Sequence, residues 1–120
     1  MNAIILLNPQ YRIEDLCSEE SMTIQKAAAH KFAADHQLET VVLDPYQIYP
    51  FYTIPHALLF QLTEKASSPP LCLVIYSLDA MQRFINIFPD KWEELCSYFE
   101  EIVPIIELPL AVYPSDQKEA

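Results

Sequence analysis

The chain has 120 residues, 52% of them apolar, which suits one domain built on a single core. Seventeen Asp and Glu against seven Lys and Arg leave a formal net charge of −10, a balance that disfavours unassisted nucleic-acid binding because phosphate affinity comes mainly from Lys and Arg. There is no glycine, so a phosphate-cradling Gly-rich loop, a dinucleotide fingerprint and a Gly-dependent nucleophile elbow are all excluded.

Residues 3–7, Ala-Ile-Ile-Leu-Leu, form a continuous apolar run stopped by Asn8-Pro9. They read as a buried strand, too short for a signal peptide or a membrane span. A polar stretch leads to a helix ending near His36, with Ser18 or Ser21 as its cap and Ile24, Ala27, Ala28 and Phe32 on its apolar face. Val41-Val42-Leu43 reads as a second strand, ended by Asp44-Pro45. Residues 45–55 carry three prolines and read as a loop holding Tyr46, Tyr49, Phe51 and Tyr52. Thr53 is the expected N-cap of the next helix, with Pro55 in its first turn and Ala57, Leu58 and Leu62 buried. Ser67-Ser68-Pro69-Pro70 is a turn.

Residues 71–76, Leu-Cys-Leu-Val-Ile-Tyr, read as a central parallel strand covered on both faces. A helical segment starts near Leu78 and is interrupted at Pro89. Asp90 is expected to cap its continuation, with Glu93 completing a capping box. Trp92, Leu95, Cys96, Phe99 and Ile102 are its expected apolar face. Residues 104–108 read as a fourth strand, and residues 114–120 as a polar tail outside a single domain of residues 1–113. The order β-α-β-α-β-α-β predicts an α/β three-layer sandwich with a mostly parallel four-stranded sheet. In such sheets ligands sit beyond the carboxyl ends of the strands.

Cys17, Cys72 and Cys96 are odd in number and far apart, which argues against a disulfide framework and for a reduced, cytoplasmic protein. His30, His36 and His56 show no metal-ligand spacing with them, so no metal site and no cofactor are expected.

The run Leu73-Val-Ile-Tyr-Ser-Leu-Asp-Ala-Met-Gln-Arg83 resembles the Ser-Leu-Asp-Arg-Leu-Ser-Arg-like segment of serine recombinases of the resolvase and invertase type. Around it, in family order, stand the first strand, the helix and strand of residues 25–42, Ile54-Pro-His-Ala-Leu-Leu59 in place of an Arg-Pro helix start, and Ile105-Ile-Glu-Leu108 as a later strand. The resemblance runs from residue 3 to about 110 and implies a resolvase catalytic-domain-like fold.

It also implies a lost activity. The Arg-x-Ser positions after the family's first strand fall on Leu7 and Pro9. The Asp-Arg pair becomes Asp79-Ala80, the arginine before the helix proline becomes Ile54, and Arg83 is the retained second arginine. Phosphodiester transfer needs a nucleophile and several guanidiniums, and the chain has only Arg12 and Arg83. The family's long dimerisation helix and DNA-binding domain are not expected within 120 residues.

Ser18, beside Cys17 and an acidic cluster of Glu14, Asp15, Glu19 and Glu20, is a poor phosphate-attacking nucleophile and a better helix cap. Asp79 and Arg83 are retained motif positions or, more simply, an i,i+4 pair. Tyr49, Tyr52 and Tyr76 lack the basic surroundings that a tyrosine nucleophile needs. Glu93-Glu94 and Glu100-Glu101 read as a solvated helix face. The aromatic loop of Tyr46, Tyr49, Phe51 and Tyr52 either caps the sheet, binds another protein, or roofs a shallow ligand site.

The leading expectation is a non-catalytic protein that binds and regulates a DNA-transaction protein (replication initiator, transcription factor or recombinase), with neither direct nucleic-acid binding nor a membrane. A residual phosphodiester-transferring enzyme and a subunit that self-associates through the helix face around Trp92 are the alternatives. A flavodoxin-like domain with a chance Ser-Leu-Asp match remains open.

Overall fold

The computed structural model describes residues 2–44, 46–65 and 71–106. The turn at residues 67–70, Glu107 and Leu108 of the expected fourth strand, and the polar tail lie outside the described residues. Four strands, β1 (Asn2–Leu6), β2 (Glu39–Thr40), β3 (Leu71–Ile75) and β4 (Phe99–Pro104), form one sheet in the order β2-β1-β3-β4. All three pairings are parallel, so the expected α/β domain with a mostly parallel four-stranded sheet is what the chain forms.

Strands β1 and β3 sit centrally and are apolar at nearly every position because both faces are covered. Side chains alternate across the sheet. Ile4, Leu6, Leu73 and Ile75 face one core with Leu58, Leu59 and Leu62 of α2 (Pro55–Lys65) and Leu95 of α4 (Pro89–Cys96). Ala3, Ile5, Leu7, Cys72 and Val74 face the other, with Ala29 of α1 (Ser18–Asp35). Helices therefore pack on both faces of the sheet. A 3-10 turn (Asp79–Met81) and α3 (Gln82–Ile87) precede α4. Among the described residues, no helix is long and apolar enough to cross a membrane.

Several expected boundaries move. The N-cap of α1 is Cys17, not Ser18 or Ser21: its Sγ accepts from the Glu20 N–H, and the Glu20 carboxylate accepts from the Cys17 N–H. The buried face of α1 is Ser21, Gln25, Ala29 and Ala33, while Ile24 is exposed and Phe32 half-buried. The helix is rotated from its expected setting because Gln25 has buried backbone partners to satisfy, described below. Its end is a Schellman motif in which Leu38 N–H donates to Ala33 O and Gln37 N–H to Ala34 O. In a chain without glycine, Gln37 takes the left-handed position at φ 55°.

Strand β2 comes earlier than expected and is two residues long. Val41 N–H still donates to Ala3 O, but Val42 and Leu43 leave the sheet half-buried. Tyr52 takes over beside β1: its N–H donates to Ile5 O and its carbonyl accepts from Leu7 N–H. Helix α2 starts at Pro55, which leaves Thr53 one residue short of the capping position. Pro89 is the first residue of α4 and Phe88 its N-cap, with no side-chain cap bond, so Asp90 and Glu93 form no capping box. Phe99 and Ile102 belong to β4 rather than to that helix face. Strand β4 thus starts five residues before the expected 104–108, although Ile105 and Ile106 N–H still donate to Ile75 O and Tyr76 O.

Candidate functional site

From β1 the chain crosses to β2 on one side, and then returns past β1 to β3 on the other. The connections leaving β1 and β3 therefore diverge, and a crevice opens beyond their carboxyl ends. It is a cleft of about 470 Å³ with three walls: residues 7–10 after β1, residues 53–55 at the start of α2, and residues 80–88 after β3. Ile54, Phe84, Ile87 and Phe88 supply apolar surface, and Arg83 supplies the charge. Among the described residues, no Asp or Glu lines it.

A buried polar network holds the first and third walls together. Gln25 is fully buried on α1 and grips Asn8 at both backbone groups, with Oε1 accepting from the Asn8 N–H at 3.0 Å and Nε2 donating to the Asn8 carbonyl at 2.8 Å. Gln25 Nε2 also reaches Ser21 Oγ at 3.2 Å, and the Ser21 hydroxyl donates to the Tyr11 carbonyl. Asn8 then uses its side chain across the cleft floor, Nδ2 donating to the Ala80 carbonyl at 2.9 Å. Ser77, also buried, accepts from the Ala80 N–H at 3.0 Å. Each residue satisfies a backbone group in the loops and turn that follow β1 and β3.

Asp79 and Arg83 do not pair: among the described residues, the ion pairs are Lys31–Asp35 and Lys91–Glu94. Asp79 instead accepts from the Tyr11 hydroxyl at 2.9 Å. Burial, and next the Asp79 carboxylate beside it, push the Tyr11 phenol above its ordinary pKa. The i,i+4 expectation fails because Tyr11, from the wall after β1, claims the carboxylate and Arg83 is left on the cleft. Arg12 points its Nε–H to the Leu16 carbonyl before α1 and is not among the lining residues. Ser18 is the exposed first residue of α1 and does not line the cleft either.

The aromatic loop divides. Tyr46 is 90% exposed and Tyr49 61%. Ile48 between them is 86% exposed and belongs with them. Tyr49 stacks on Phe51 at 5.3 Å, and Phe51 is half-buried against the α1-side core. Tyr52 is not a surface residue. It is 5% exposed, with its hydroxyl donating to Gln61 Oε1 and accepting from the Leu43 N–H, both at 2.8 Å. Its strand-like place beside β1 turns the ring into the core. Gln47 Nε2 holds the turn by donating to the Tyr49 and Phe51 carbonyls at 2.8 and 3.0 Å.

Trp92 is half-buried against the α2-side core and meets Phe84 edge-on at 6.4 Å, so it is largely spent within the fold. Glu93 and Glu94 are exposed on α4, whereas Glu100 and Glu101 are exposed on β4 rather than on a helix. Among the described residues, no group of three or more His, Cys, Asp or Glu could hold a metal ion. The three cysteines are free, and burial raises the thiol pKa of Cys72 and Cys96.

The chain matches no family model, no curated protein and no solved structure. Asn8 and Ser77 fall at strand ends that the sequence marks, but Gln25 is not a residue that the sequence singles out. The available signal was a glutamine four residues after a serine on a helix, which reads as solvent-facing until the strand ends are placed.

Proposed function

We propose that this chain is a recombinase-like domain without phosphoryl-transfer chemistry, which works in the cytoplasm by binding and regulating another protein. One observation carries the reading. Leu7, Pro9, Ile54, Ala80 and Arg83, five of the six positions that the recombinase resemblance assigns to an active site, line the same cleft, while the sixth, Asp79, turns its carboxylate to the Tyr11 hydroxyl. They are scattered over 77 positions of sequence (7 to 83), and nothing in their spacing alone would gather them. The group supplies no nucleophile and a single guanidinium, where phosphodiester attack needs several groups to hold the developing charge.

The exposed Tyr46, Ile48 and Tyr49 support the binding half of the proposal. Burying such side chains on a partner contributes roughly 1.5–3 kcal/mol each before association costs. The proline-bounded loop and the Gln47 hydrogen bonds reduce the entropy lost on docking. A net charge of −10 favours a basic partner, such as the DNA-binding surface of an initiator, a transcription factor or a recombinase.

The test is capture of DNA-binding proteins by the parent and by a folded Tyr46→Ser/Ile48→Ser/Tyr49→Ser variant, with the captured partner titrated at rising salt. The expected result is one partner lost by the variant and weakened by salt. Equal capture by both proteins, or salt-independent binding, refutes it. Relaxation of supercoiled plasmid, or a covalent protein–DNA adduct, would restore the enzyme reading.

A further inference from the structure

The cleft has a chemistry that the protein-binding proposal does not use. Its volume, about 470 Å³, falls in the range of sites that enclose a small molecule, and it occupies the crevice where open parallel sheets take ligands. The charge pattern is more specific. The chain carries seventeen acidic residues, yet none of the described ones lines this cleft, and one of its two arginines does. The nearest acidic residue in sequence, Asp79, has its carboxylate on the Tyr11 hydroxyl. Arg83 has no ion-pair partner among the described residues.

Besides Arg83, Asn8, Gln10 and Thr53, the lining is apolar. Ile54 and Ile87 are more than half exposed although they line a concavity, and Phe88 is 41% exposed. Phe84 and Phe88 are set at 5.5 Å and braced by the His56 ring, edge-on at 5.2 and 4.6 Å. The floor is held by the hydrogen bonds from Asn8 to Ala80 and from Ala80 to Ser77, so the concavity exists before anything enters it.

We infer that the cleft is a binding site for a small monoanionic carboxylate with an aliphatic or aromatic body, held by Arg83 at its head and by Ile54, Phe84, Ile87 and Phe88 along its body. A single planar guanidinium matches a carboxylate bidentately and balances one charge. A phosphate dianion would exceed the charge available. The inference does not rest on the protein-binding proposal, whose variant residues, Tyr46, Ile48 and Tyr49, lie outside the cleft.

The experiment is titration of the full chain with 3-phenylpropanoate and with octanoate, followed by amide and methyl chemical shifts. 3-Phenylpropanamide and inorganic phosphate are the controls. The expected result is saturable shifts at Ile54, Ile87 and the Arg83 side chain for at least one of the two acids. The neutral amide should bind about tenfold more weakly or worse, as loss of a charge-assisted hydrogen bond requires. Arg83→Gln should weaken the acid by a similar factor without changing the fold, and Ile87→Asp should abolish binding by placing a like charge on the wall.

Equal binding of acid and amide, shifts that map elsewhere, tighter binding of phosphate, or no saturation by either acid at millimolar concentration would each overturn the inference. Concentration-dependent shifts at the cleft without added ligand would also overturn it, in favour of a second copy as the occupant. Loss of partner capture in the loop variant with acid binding intact would uphold both proposals separately.

Discussion

Gln25 is the residue whose removal should cost this fold most for its size. It makes three hydrogen bonds from a fully buried position: two to the Asn8 backbone and one to Ser21. Gln25→Leu keeps most of the volume and deletes all three. Each bond contributes about 0.5–1.5 kcal/mol net, and the Asn8 N–H left unpaired costs about 1–3 kcal/mol, while the Asn8 carbonyl keeps the Tyr11 N–H and Ser21 keeps the Tyr11 carbonyl. Asn8 is half-buried, so water recovers part of the loss. The expectation is a destabilisation of about 2–4 kcal/mol, out of about 6–18 kcal/mol for a chain of this length. With a urea slope of about 1.5 kcal/mol/M, the midpoint should fall by about 1.3–2.7 M, read by far-UV circular dichroism or Trp92 fluorescence.

Gln25→Glu sharpens the test. At neutral pH it places a carboxylate where Nε2 had donated to the Asn8 carbonyl, and burial raises its pKa above the ordinary value. The folded state then holds a proton that the unfolded state has released. The variant's stability therefore falls as pH rises from the unfolded glutamate value of about 4.3 towards the raised folded value. Its deficit against the parent should shrink as pH is lowered towards 4. A Gln25→Leu midpoint within about 0.5 M of the parent, or a Gln25→Glu deficit that does not change with pH, would refute the account of the network.

Four further outcomes are expected. Tyr52→Phe, which loses the bonds to Leu43 and Gln61 but keeps the ring, should cost about 1–2 kcal/mol in urea unfolding. The Tyr11 and Tyr52 phenols are both raised by burial, so stability should be full below pH 10 and fall as pH climbs past it; that loss should be smaller in Tyr52→Phe, with phenolate absorbance lagging behind model tyrosine. Cys17→Ser puts a stronger hydroxyl acceptor at the N-cap of α1 and should raise stability to urea by about 0.5–1 kcal/mol. A thiol reagent at neutral pH should modify exposed Cys17 first and buried Cys72 only on unfolding, as mass spectrometry of partially labelled protein would show.

The central strands were legible because β1 and β3 are continuous apolar runs, and a strand covered on both faces has no other way to read. The alternation of strands and helices was enough to indicate a parallel α/β sheet. The lack of glycine and the scarcity of arginine narrowed the chemistry before any coordinate was known. Edges and faces were not legible. Strand β2 ends after Thr40 because Tyr52, twelve residues on, pairs with β1 in its place. Helix α1 turns Ser21 and Gln25 inward, against the hydrophobic pattern, because Asn8 has a backbone N–H and a carbonyl that the sheet cannot pair. Tyr46 and Tyr52 are both tyrosines of one loop, but only the tertiary structure exposes the first and buries the second. Hydrophobic periodicity records what a segment offers. Which groups need a hydrogen-bond partner, and which residue 17 or 72 positions away provides it, is decided only when the strand ends meet.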